Sequence, residues 1–80
     1  MNVFFAKTRG GVDEFVNMKA SLPDCKLWVS GGVDLVGVDL HRYEITQFNV
    51  LFDLLKKDEF EAAVGTIEDH YAGCIVWVEA

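Results

Sequence analysis

Past Lys57 the chain contains no lysine and no arginine, although it runs on to Ala80. All seven bases (Lys7, Arg9, Lys19, Lys26, Arg42, Lys56 and Lys57) lie within residues 1–57, where seven acids cancel them. The other six acids, Asp58, Glu59, Glu61, Glu68, Asp69 and Glu79, therefore carry the whole formal charge of −6. A field of one sign repels phosphates and attracts basic surfaces. Direct binding to nucleic acid is disfavoured from the start.

Other absences narrow the field further. No apolar run approaches the roughly 18 residues of a membrane span. The opening MNVFFAKTRGG lacks the basic lead, long apolar core and cleavage site of a signal peptide. The expected location is the cytoplasm, where Cys25 and Cys74 would be reduced. There is one proline, Pro23, and no repeat or linker, so residues 1–80 read as a single domain. Structural zinc sites draw on close ligand pairs, but Cys25, His41, His70 and Cys74 are scattered singly apart from His70-x3-Cys74. No Gly-x-Ser-x-Gly elbow is present. Thr8-Arg9-Gly10-Gly11 lacks the Gly-Lys-Ser/Thr ending of a phosphate loop. Asp69 and His70, neighbours on a helix, would point about 100° apart. No catalytic residue, cofactor or metal is expected, and the chain does not read as an enzyme.

What is present is apolar and patterned. Hydrophobic residues make up 51% of the 80 and charged residues 25%, which excludes disorder. A chain this short hides only about 60–65% of the surface its unfolded form exposes. A partner protein or a second copy would be a natural supplement to its stability. Val3 to Lys7 reads as a strand that ends at Thr8-Arg9-Gly10-Gly11. Asp13 is the expected N-cap of a helix from Glu14 to about Leu22, which Pro23 terminates. Cys25 to Ser30 alternates, with Cys25, Leu27 and Val29 on one face and Trp28 on the other. Gly31-Gly32 suits a tight hairpin turn, and Val33 to Leu40 reads as the returning strand, bulged at Val36-Gly37. Thr46 would cap a helix to about Lys57, in which Phe48, Leu51, Phe52 and Leu55 follow helical spacing. Asp58 and Glu61 suit a capping box for a further helix with the apolar stripe Phe60, Ala63, Val64, Ile67 and Tyr71. Gly73 would end it, and Cys74 to Glu79 closes the chain as a strand.

That order predicts an α+β fold, the ferredoxin-like βαββαβ sandwich. Its four-stranded antiparallel sheet would run 4-1-3-2 with the helices on one face and the second helical segment split into a helical hairpin. Cys25 and Cys74 would then begin opposite edge strands, too far apart for a disulfide. The other sheet face would stay open and present Trp28, a patch of the kind that marks an interaction site. RNA-recognition modules stack bases on such a face but surround it with bases rather than acids. The helical hairpin is likewise no DNA reader, since its second helix has no lysine or arginine for phosphate contacts.

The leading expectation is a small acidic protein-binding module, an inhibitor that occupies a basic, nucleic-acid-binding surface of a protein partner. Asp58, Glu59, Glu61, Glu68 and Asp69, with Tyr71 nearby, would imitate backbone phosphates, and Trp28 would add an apolar contact. In size and charge alone the chain resembles phage-encoded inhibitors of the anti-CRISPR and anti-restriction type. That resemblance implies a nucleic-acid-handling complex as partner and the host cytoplasm as location. The alternative is a ferredoxin-like regulatory or small-ligand-binding subunit that forms a homodimer through its open sheet face. Its working residues would lie around Thr8 to Gly11 and Gly31-Gly32, at opposite ends of the fold from one another or across a dimer.

Overall fold

The computed structural model describes residues 1–18 and 24–80. Six elements follow in order: β1 (Asn2–Ala6), α1 (Arg9–Met18), β2 (Cys25–Val29), β3 (Ile45–Gln47), α2 (Lys57–His70) and β4 (Ile75–Val78). The strands form one sheet in the order β3-β2-β1-β4, and all three neighbouring pairs are parallel. The antiparallel 4-1-3-2 sheet of a ferredoxin-like sandwich is therefore incorrect.

The composition of β1 explains the difference. Val3, Phe4, Phe5 and Ala6 are all buried, a continuous apolar run of the kind a strand covered on both faces requires. Phe4 and Ala6 join Val12 and Phe15 of α1, with Cys25, Leu27 and Val29, in one core cluster. Val3 and Phe5 turn the other way and join Trp28, Phe48, Ala63 and Ile67 under α2. One helix lies on each face, so the expected open face with Trp28 does not exist. Trp28 is 5% exposed.

The expected hairpin fails for a local reason. Residues 30–44 form a loop in which the Asp34 carboxylate accepts from Val36 N–H (2.9 Å) and the Asp39 carboxylate from Arg42 N–H (3.0 Å). Such side-chain turns compete with strand pairing. In place of a bulge at Val36-Gly37 there is a tight turn, closed by Val38 N–H on Leu35 O (3.1 Å) with Gly37 at φ +81°. Val33, Leu35, Val38 and Tyr43 still reach inward to the α1-side core.

No helix runs from Thr46 to Lys57 either. Ile45–Gln47 is the short strand β3, and Phe48 N–H continues to Val29 O (2.9 Å). The helical spacing of Phe48 and Phe52 corresponds to a ring pair 5.1 Å apart on the α2-side core, while Leu51 and Leu55 are exposed. The Asp53 carboxylate caps Leu55 N–H (3.1 Å), another turn that competes with helix. With one helix there instead of two, the helical hairpin is also incorrect.

At the helix ends the expected caps shift. α1 starts at Arg9, so Asp13 is an exposed interior residue paired to Arg9 (3.0 Å). Leu22 and Pro23 lie outside the described residues. α2 starts at Lys57, and its N-cap residue, Lys56, makes no side-chain capping bond. Cys25 and Cys74 form no disulfide. Their separation has a different cause from that expected: β1 lies between β2 and β4, which puts the two residues roughly 10 Å apart, beyond the about 7 Å disulfide limit.

Candidate functional site

The outward side of α2 carries most of the acids that the sequence singles out. At 100° per residue, Asp58, Glu61, Glu68 and Asp69 fall within an arc of about 100°. All four are exposed. Ala63 and Ile67 are buried on the opposite side, so docking of the helix on the sheet aims the carboxylates at solvent. They form two pairs roughly 10 Å apart along the axis. Between the pairs lie the small residues Ala62 and Gly65. Among the described residues Lys57 is the base that reaches this face, 3.8 Å from the Glu61 carboxylate in an exposed i,i+4 pair worth at most about 0.5 kcal/mol.

The remaining candidates separate from this face. Glu59 turns toward the preceding loop and accepts from Asp53 N–H (3.2 Å). Tyr71, the C-cap residue of α2, is half-buried and its ring meets Trp28 at 6.2 Å. Trp28 lies beneath the helix, edge-on to Phe48 and His70 (both 5.2 Å), and its Nε1–H is buried without a hydrogen-bond partner. Trp28 therefore supports the position of α2 from below.

A second region follows from the parallel sheet. With every strand running the same way, Thr8–Gly11 after β1 and Gly31-Gly32 after β2 lie at the same end, not at opposite ends. Between β1 and β4 the chain connections diverge, and ligands of such sheets bind beyond the strand ends at that point. Here the place is filled from within. Glu79, just past β4, accepts from Lys7 N–H (2.6 Å) and Thr8 N–H (2.9 Å) on Oε1 and from the Thr8 hydroxyl (2.6 Å) on Oε2. Gly11 leaves the room that this carboxylate occupies. Nor is Arg9 a free anion ligand, because its Nη1 donates to Asp34 O (3.1 Å) and Val36 O (2.7 Å) and holds the 30–44 loop. No spacing rule links Thr8 to Glu79. The one available signal is a lone acid at the end of an apolar strand.

Burial pushes the Glu79 carboxyl up, but the Thr8 hydroxyl, the Thr8 and Lys7 amides and the Lys7 ammonium outweigh it, and the net shift is downward. A depressed carboxyl stabilises the fold above its unfolded-state value of about 4.3, and that contribution disappears as pH falls through the lower folded value. Glu79→Gln is expected to lower the urea midpoint at pH 7, and the gap to the native chain should narrow as pH falls below the unfolded-state value of about 4.3. A gap that stays constant from pH 7 to 3 would mean the charge of Glu79 contributes nothing.

Among the described residues no three histidine, cysteine, aspartate or glutamate side chains converge as a metal site would require, and no helix is long and apolar enough to cross a membrane. Comparison with protein-family models, with curated proteins and with solved structures finds no match to this chain.

Proposed function

We propose that the chain is a small acidic protein-binding module whose α2 face occupies a basic surface on a partner, one suited to nucleic acid, and so blocks it. The observation that carries this reading is the position of Glu68 and Asp69 in the last turn of α2. The carbonyl end of a helix carries partial negative charge, so each carboxylate there costs about 0.3–1 kcal/mol. In a small domain such a sacrifice of stability fits a functional demand at those positions. The four charges spread over roughly 16 Å of axis as two pairs, a length of about five phosphate steps along one DNA strand. Glu59, Tyr71 and Trp28 act in this reading by placing the helix.

The test is a pull-down from lysate, with and without nuclease, followed by affinity measurement on the captured partner. Changing Asp58, Glu61, Glu68 and Asp69 together to lysine is expected to weaken binding at least about 100-fold, with the circular dichroism spectrum retained. Native binding should also weaken steeply between about 50 and 500 mM salt as the Debye length contracts. Affinity unchanged by the four substitutions would overturn the proposal.

The small-ligand alternative gains one observation, the convergence of Thr8–Gly11 and Gly31-Gly32 at one end of the sheet. Against it, the Glu79 carboxylate already answers the Lys7 and Thr8 amides. A small anion would have to displace it.

A further inference from the structure

Among the described residues no segment pairs with the outer edge of β4. Edge strands in soluble proteins are usually blunted by charge, proline, a bulge or shortness. The opposite edge, β3, is only three residues long, and its Gln47 side chain is turned back onto Ser30 O (3.2 Å) and Val33 O (2.8 Å). β4, at four residues, is one longer and has no such side-chain guard. Cys74 to Val78 reads CIVWV, without charge or proline. Ile75 and Trp77 are each 57% exposed on the α1 side of the sheet, where Trp77 also lines an apolar groove of about 310 Å³ with Asn2, Phe4, Met18 and Cys25.

The backbone of β4 fixes how this edge can be used. Ile75 N–H donates to Met1 O and Glu79 N–H to Phe5 O, both at 3.0 Å, so the odd-numbered residues bond to β1. Strand alternation then turns the N–H and C=O of Val76 and Val78 to the open edge. We propose that β4 pairs antiparallel with β4 of a second copy, about a two-fold axis at Val76, and joins the two four-stranded sheets into one.

A second copy suits this edge better than an unrelated strand because the register is self-complementary. With the axis at Val76, the two Val76 residues exchange both backbone bonds. Ile75 then stands opposite Trp77 of the second copy, and Trp77 opposite its Ile75, in the non-hydrogen-bonded pairs where side chains approach most closely. The two largest exposed apolar side chains of the strand each cover their counterpart. Moving the axis to Trp77 would set Ile75 against Glu79, so the sequence also selects the register. Each half-exposed tryptophan contributes roughly 100 Å². With the paired backbones and Ile75 the interface stays below the standard size, in the range of weak, exchanging dimers. Each chain carries −6, so the copies repel through their charge. Added salt strengthens this contact, whereas it weakens the binding proposed for α2.

Sedimentation equilibrium of the whole chain tests the proposal at about 50 and 500 mM salt, from roughly 10 µM to 1 mM, the range a weak dimer requires. The expected result is a weight-average mass that rises with concentration from 9.0 kDa toward twice that value, earlier at the higher salt. Amide exchange at Val76 should slow with concentration, while exchange at Trp77, bonded toward β1, should not change. Ile75→Lys and, separately, Trp77→Lys should hold the chain at 9.0 kDa throughout. A constant monomer mass in the native chain, or a dimer whose Val76 exchange is independent of concentration, overturns the proposal without reference to how either variant folds. So does a dimer that survives whichever of the two variants retains the native circular dichroism spectrum.

Discussion

Ile67→Ala is expected to lower the stability of the chain by about 2–5 kcal/mol. Ile67 is fully buried and belongs to the cluster of Val3, Phe5, Trp28, Phe48 and Ala63. Together with Ala63 it is the fully buried part of α2. Its truncation removes apolar contact and leaves a void between the helix and the middle of the sheet, where β1 and β2 are already covered on the other side and cannot collapse freely. Domains of ordinary size are stable by only about 5–15 kcal/mol, so a loss of this size is a large fraction of the whole. Urea denaturation followed by tryptophan fluorescence reads it directly, since Trp28 lies in the same cluster. The value also bears on function. The acids at positions 58, 61, 68 and 69 face solvent because Ile67 faces the sheet, half a turn around the helix. A loss below about 0.5 kcal/mol would mean that α2 is rotated or detached, and the orientation of its acidic face would be lost with it.

Residue pattern alone located β1, β2, α2 and β4, because each is a continuous apolar run or a stripe at helical spacing. The apolar side of α2 was legible residue by residue, and on its acidic side Asp58, Glu61, Glu68 and Asp69 were, but not Glu59, which turns to the preceding loop. Strand direction was not. Val3-Phe4-Phe5-Ala6 shows no alternation, and that is the mark of a strand buried on both faces. Cys25–Val29 can be read as alternating, but Trp28 on its other face is buried, as is Leu27. The hairpin at Gly31-Gly32 and the helix after Thr46 were plausible from spacing, yet Asp34, Asp39 and Asp53 each close a local turn that competes with them. The contact between Glu79 and Thr8 joins positions 71 residues apart. Only the placement of β4 beside β1 brings them together.

Gly31→Ala tests the segment that the sequence pattern misassigned, and a severe loss is expected. A Cβ at position 31 would overlap the Val50 carbonyl oxygen and lie 2.9 Å from its carbon and 3.1 Å from the Phe48 carbonyl oxygen. These are backbone atoms, so no side-chain rotation relieves the overlap and residues 48–50 must move as a unit. Phe48 moves with them. Its amide bonds to Val29 O, and its ring packs edge-on against Phe5 (5.7 Å), Trp28 (5.2 Å) and Phe52 (5.1 Å). Overpacking usually costs about 1–3 kcal/mol, and more where the backbone gives way, so at least about 3 kcal/mol is expected here, with a shift in Trp28 emission. Gly65→Ala supplies the opposite result. Gly65 lies inside α2, and a Cβ there meets nothing within 4 Å, so the change should stabilise by about 0.5–1 kcal/mol through helix propensity alone. With residues 48–50 packed tightly on the end of β2, the two glycine replacements must move stability in opposite directions. A Gly31→Ala chain within about 0.5 kcal/mol of native, the ordinary range for surface changes, would place that loop elsewhere and separate Phe48 from the core beneath α2.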